Sequence, residues 1–198
     1  MIFNNTVLKK MMKSAYKGAG LLVASDGANI IIGGTYWRVS IQEDYFPKKA
    51  KAALVELIGQ LPQAGESYRC TSSGNQMEMP GEELKDLIES LNYQKEYRKA
   101  DMLIDCMYRI RPYQSDDETI FLNEIFDDLL DGQPEDYEDN KIKGPFKREG
   151  EHRVFFETET CILEAWEVRP IPEQHNPEGY YKALEQMEIM LKHEEQRH

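Results

Sequence analysis

Residues 6–17, TVLKKMMKSAYK, place Val7, Leu8, Met11, Met12, Ala15 and Tyr16 at helical spacing, with Thr6 as N-cap and Gly18 and Gly20 as the stop. The pattern then changes period. GLLVASDG and NIIIGGTYWRVSI are rich in Val, Ile, Tyr and Trp and meet at Ser25-Asp26-Gly27-Ala28, which predicts two antiparallel strands joined by an Asp-Gly turn. Gly33-Gly34 interrupts the second of them and reads as a bend or bulge, because no helix follows to make it a phosphate cradle. After Pro47, KKAKAALVELIGQL brings Ala50, Ala53, Leu54, Leu57, Ile58 and Leu61 into helical period before Pro62. Residues 67–79 alternate around Ser73-Gly74-Asn75 and predict a second hairpin.

Further along, Leu84, Leu87, Ile88 and Leu91 predict a helix over 81–99, and the alternation in 101–113 predicts a strand ended by Pro112. Ile120, Phe121, Ile125 and Leu129 predict a helix over 117–130 with acids in its first turn. Residues 133–150 have the composition of a loop, 152–170 of a hairpin, and 178–198 of a last helix with Tyr180, Leu184, Met187 and Leu191 in one stripe. The fold class expected from this order is α+β, mainly antiparallel sheet with amphipathic helices packed on it. Three segments are expected: a helix and hairpin unit at 1–79, a second α+β unit at 80–172, and a C-terminal helix at 173–198.

Composition agrees with a folded chain. Of 198 residues, 40% are hydrophobic and 30% charged, enough to bury a core, and no window approaches a membrane span. The first residues lack a basic segment followed by an apolar run, so the expected location is the cytoplasm. Cys70, Cys106 and Cys161 are widely spaced and odd in number, which builds neither a disulfide framework nor a CxxC pair; they read as buried small hydrophobes.

Charge sharpens the picture because it is unevenly spread. The total is −12, yet residues 1–61 carry eight Lys/Arg against four acids, a net of +4, leaving −16 for the rest. Residues 114–139 contain eleven acids and no Lys or Arg. Such asymmetry points to interaction surfaces more than to a pocket enzyme. No HExxH, GxSxG or P-loop is present, so no catalytic residue, metal ligand or cofactor site is assigned.

The basic residues fall on two expected helices. Lys10, Lys13 and Lys17 share the face opposite Met11, Met12 and Ala15, and Lys48, Lys49 and Lys51 crowd the first turn of the second helix. Three lysines at a helix N-terminus oppose its dipole, a cost that makes sense where they hold an anion; ordinary solvated faces are the plainer account. Side by side, the two helices would present a sequence-independent phosphate surface. Tyr36, Trp37 and Arg38 would stack on bases if exposed.

The run from Phe3 through the basic helix, GLLVASDGANIIIGGTYWRVSI and KAALVELIGQLPQAGESYRCTSSGNQMEM resembles one unit of the DNA sliding clamps, the polymerase processivity rings, and HRVFFETETCILEAWEVRPI resembles a closing clamp hairpin. The resemblance implies helices lining a channel, with Lys10, Lys13, Lys17, Lys48, Lys49 and Lys51 toward DNA. It also implies a non-enzymatic replication accessory factor acting with a protein partner or as a homo-oligomer. The expected acidic helix at 117–130 departs from that pattern, since it would repel DNA. An alternative centres on Asp127, Asp128, Asp131, Glu135 and Asp136, which would bind a protein partner by mimicking a phosphate backbone. The spacing from Asp127 to Glu138 superficially fits a calcium loop, but Leu129 stands at a ligand position.

Overall fold

A computed structural model describes residues 3–74, 76–78, 95–105, 109–116, 118–131, 142–147 and 150–168. The fold is α+β with antiparallel sheet. The described residues of Met1–Tyr97 and Ile125–Trp166 form one compact unit, and those of Arg98–Glu124 and Glu167–His198 form a second. The boundaries expected at 79/80 and 172/173 lie outside the described residues.

The first unit is built on a nine-stranded sheet. Its centre is the apolar run after the first helix, which makes three strands and not two: β1 (Leu21–Ser25), β2 (Asn29–Gly33) and β3 (Trp37–Gln42). The extra turn falls at Gly33-Gly34, where a Cβ on Gly34 would sit 2.5 Å from Trp37 Nε1 and one on Gly33 2.8 Å from the Trp37 carbonyl oxygen. Glycine lets the chain fold back there, with the Gly34 N–H donating to that carbonyl at 2.9 Å. The next strands are β4 (Ser67–Cys70) and β5 (Gln76–Glu78), the expected second hairpin. In the second unit β7 (Arg98–Lys99), β8 (Ile104–Asp105), β9 (Arg109–Gln114) and β10 (Thr119–Asn123) form a smaller sheet. The main sheet is completed by β6 (Lys95–Glu96), β11 (Lys143–Lys147), β12 (Arg153–Glu157) and β13 (Cys161–Trp166), in the order β5-β4-β1-β2-β3-β13-β12-β11-β6.

Register explains why the centre is rigid. Val23, Ile32, Val39, Leu163 and Phe156 stand opposite one another in turn across β1, β2, β3, β13 and β12, and all are buried. Each such side chain contributes about 1.5–3 kcal/mol on leaving water. In the neighbouring row Ala24, Ile31 and Ser40 are also buried and Ile162 is half-buried, so β1 and β2 are covered on both faces. The β12–β13 hairpin, from the expected second segment, pairs through β13 with β3 and so joins the sheet of the first.

Four expectations are corrected. Residues 95–96 and 98–99 are the strands β6 and β7, not the end of a helix; the rest of that expected helix, its apolar stripe included, lies outside the described residues. Pro112 does not end its strand: β9 runs on to Gln114, the Pro112 carbonyl accepts from the Ala100 N–H at 3.1 Å, and the Ala100 carbonyl accepts from Arg111 Nη1 at 3.2 Å in place of a proline N–H. Residues 119–123, expected as helix, are β10, since Ile120 and Leu122 alternate inward and pair with Tyr113 and Arg111. Part of the expected loop is β11, held between β12 and β6. The expected C-terminal helix lies outside the described residues.

Candidate functional site

The first lysine helix, α1 (Asn5–Lys17), begins one residue earlier than its expected cap. Asn4, not Thr6, is the N-cap: its Oδ1 accepts from the N–H groups of Thr6 at 3.1 Å and Val7 at 3.4 Å. Leu8, Met11 and Met12 are buried, whereas Lys10, Lys13 and Lys17 are exposed and Lys9 is half-buried. Lys17 lies in the last turn, where a cation complements the dipole. The helix contains no acid.

The second, α2 (Lys48–Ile58), buries Ala50, Ala53 and Leu54 and ends at Gly59, whose φ of 87° is open to glycine. No side chain caps its start, and its first turn has no acid. Lys48 and Lys49 are exposed. Lys51 is different: its Nζ lies 2.9 Å from Glu43 Oε1, on the short 3-10 turn Glu43–Tyr45 that precedes the helix. Glu43 thus offsets one of the three charges that oppose the dipole, a partner that helical periodicity does not reveal because it sits outside the helix. α1 and α2 pack against each other, and α1 also packs on β1 and β2.

The acidic candidates occupy α3 (Ile125–Leu130), shorter than expected because β10 takes the preceding residues. Phe126 and Leu129 are buried. Asp127 and Asp128 lie in the first turn, where carboxylates are favoured by the dipole, so a helix-stabilising role accounts for their placement. Asp128 and Asp131 are exposed and Asp127 is half-buried. Glu135 and Asp136 lie outside the described residues, as does Glu138. Asp127 and Asp128 being helical, they do not open a calcium loop, and no group of three or more His, Cys, Asp or Glu able to hold a metal occurs among the described residues. α3 packs against α1, and the Asn4 N–H donates to the Leu129 carbonyl at 2.7 Å. No signal in the letters pairs these two segments.

The aromatic candidates separate. Trp37 is buried and Arg38 is engaged in an ion pair, while Tyr36 is 64% exposed. Tyr36 meets Trp166 edge to face at 6.1 Å between centroids, and the Trp166 N–H donates to the Tyr36 carbonyl at 3.0 Å. Cys70 and Cys161 are free and buried, as expected of small hydrophobes; Cys106 lies outside the described residues. No helix among the described residues is long and apolar enough to cross a membrane. Against protein-family models, curated protein sequences and solved structures, the chain finds no match.

Proposed function

We propose that this protein is a non-enzymatic, clamp-like module that binds duplex DNA without sequence preference through α1 and α2. The observation that carries the reading is the packing of the two lysine helices against each other with Lys10, Lys13, Lys17, Lys48 and Lys49 all exposed. Their ammonium groups are point charges on flexible stems, suited to phosphate and indifferent to base identity. The two helices carry these five exposed lysines against a single acid, Glu56 of α2, on a chain of net charge −12. α1 rests on β1 and β2 of the antiparallel sheet, which support it from below.

The test is duplex affinity as a function of salt. Five phosphate contacts give a slope of log affinity against log salt of about −4 to −5. Replacing Lys10, Lys13 and Lys17 by Glu is expected to abolish binding. Absence of binding at low salt, or full retention in that variant, overturns the reading.

A further inference from the structure

Every exposed residue of α1 is a lysine or carries a hydroxyl: Thr6, Lys10, Lys13, Ser14 and Lys17. At about 100° per residue the five fall within an arc of roughly 100°, opposite buried Leu8, Met11 and Met12, and at about 1.5 Å per residue they run roughly 16 Å along the axis. A helix face that meets only water gains stability from glutamates set four residues from its lysines, and α1 has no acid. Ser and Thr are also weaker helix formers than Ala, Glu or Gln. Helix stability therefore does not account for the two hydroxyls.

Their bonding points the same way. Neither the Thr6 nor the Ser14 hydroxyl hydrogen-bonds to another described residue, and Ser14 does not donate to the Lys10 carbonyl, the usual partner of a serine inside a helix. Each is an exposed donor within the lysine row. Ser14 lies about 6 Å along the axis from Lys10 and about 4.5 Å from Lys17, and Thr6 about 6 Å from Lys10. Thr6 also stands in the first turn, where the helix dipole favours an anion. We infer that Thr6 and Ser14 are neutral phosphate-binding residues: each hydroxyl donates to a non-bridging oxygen of the DNA backbone, beside the phosphates that the lysines neutralise. Such contacts fix the position of a duplex without reading its sequence. A hydroxyl releases no counterion, so the charge contacts remain those of the five lysines. The inference rests on the DNA-binding reading above and concerns what holds phosphate there besides charge.

The experiment measures binding of a short mixed-sequence duplex to the full chain at several salt concentrations, for Ser14→Ala, Thr6→Val and the two combined. Each single change is expected to weaken binding about two- to tenfold, the net worth of one hydrogen bond. The salt slope stays as in the native chain, whereas a lysine removed from the same face lowers its magnitude by about 0.9. The two losses multiply, because the residues stand about 12 Å apart along the axis. Ser14→Thr and Thr6→Ser keep a hydroxyl and retain binding. Thermal melting is expected to find Ser14→Ala at least as stable as the native chain, which separates lost affinity from a weakened helix. Unchanged affinity in the combined variant, a reduced salt slope, or equal losses when one hydroxyl residue replaces the other overturns the inference and leaves DNA binding by the lysines intact. Failure of the native chain to bind duplex at low salt removes both, and is recognised before any residue is changed.

Discussion

Arg38 and Glu164 stand directly opposite each other on β3 and β13, and their side chains close to 3.2 Å with Glu164 wholly buried. The same carboxylate oxygen, Oε1, lies 4.0 Å from Arg153 and accepts from the Trp166 indole N–H at 3.3 Å. An ion pair in the middle of a sheet is costly to form and more costly to break, because the survivor stays buried without its partner. Glu164→Leu is expected to destabilise the protein by about 3–5 kcal/mol, and Arg38→Met/Glu164→Leu by clearly less than the single change. Denaturant unfolding of the two variants measures this; equal losses would mean that the pair is not the relevant unit.

The β1–β2 turn hangs on Asp26. Its Oδ1 accepts from the N–H groups of Ala28 at 2.8 Å and Asn29 at 2.6 Å, and its Oδ2 from the Asn29 side-chain amide at 2.9 Å. Partial burial pushes the carboxyl up, and the hydrogen bonds from Asn29 and Ala28 together outweigh it, so the pKa is lowered. A lowered carboxylate pKa contributes stability above the ordinary aspartate value and loses it as pH falls through the lowered one. Asp26→Ala is expected to cost about 1–2 kcal/mol at neutral pH and less in acid. Unfolding curves at neutral and strongly acidic pH give the comparison.

Cys161 behaves in the opposite sense. Burial pushes its thiol up to about 11, against a smaller lowering by the Thr158 hydroxyl. The unfolded chain's thiol ionises near pH 9, so the contribution is complete below that value and is lost as pH rises toward about 11. Burial shifts Cys70 and Tyr68 upward as well, so all three share the alkaline loss. Cys161→Ala is expected to make stability less steep between pH 9 and 11, roughly the interval between the free and buried thiol values. Alkylation mapped by peptide mass is expected to spare Cys161 in the native protein at mildly alkaline pH and to reach it once the chain is unfolded.

The tether to Glu43 ranks the lysines. Lys51 spends its charge on a carboxylate 2.9 Å away, while Lys13 has an exposed side chain on a helix without acids. Lys13→Gln is therefore expected to lower the magnitude of the salt slope by about 0.9, and Lys51→Gln by much less. Titrations at several salt concentrations separate the two; a Lys51 effect as large as that of Lys13 would show the tether to be weak.

Much of the first unit follows from local chemistry. The helical spacing of Leu8, Met11 and Met12, the proline before α2 and the glycine after it, and the Asp26-Gly27 turn each act within a few residues, so α1, α2 and the β1–β2 hairpin are legible in the letters. Local pattern is ambiguous where two periods fit the same residues. Thr119–Asn123 carries apolar positions compatible with a helix, and its pairing with β9 makes it a strand. Gly33-Gly34 signals a break, but its becoming a hairpin depends on the close approach of Trp37.

What the sequence determined by itself is the set of amphipathic faces, the strand-forming runs and the split of charge into a positive beginning and a negative remainder, because each depends on composition and short-range spacing. Tertiary structure decided which of these meet. It joined β3 to β13 and so paired Arg38 with Glu164, packed α1 against α2, bound Lys51 to Glu43, and tied α3 to the start of α1. Such contacts are selected by burial and electrostatics in the folded state, between residues that no local rule relates.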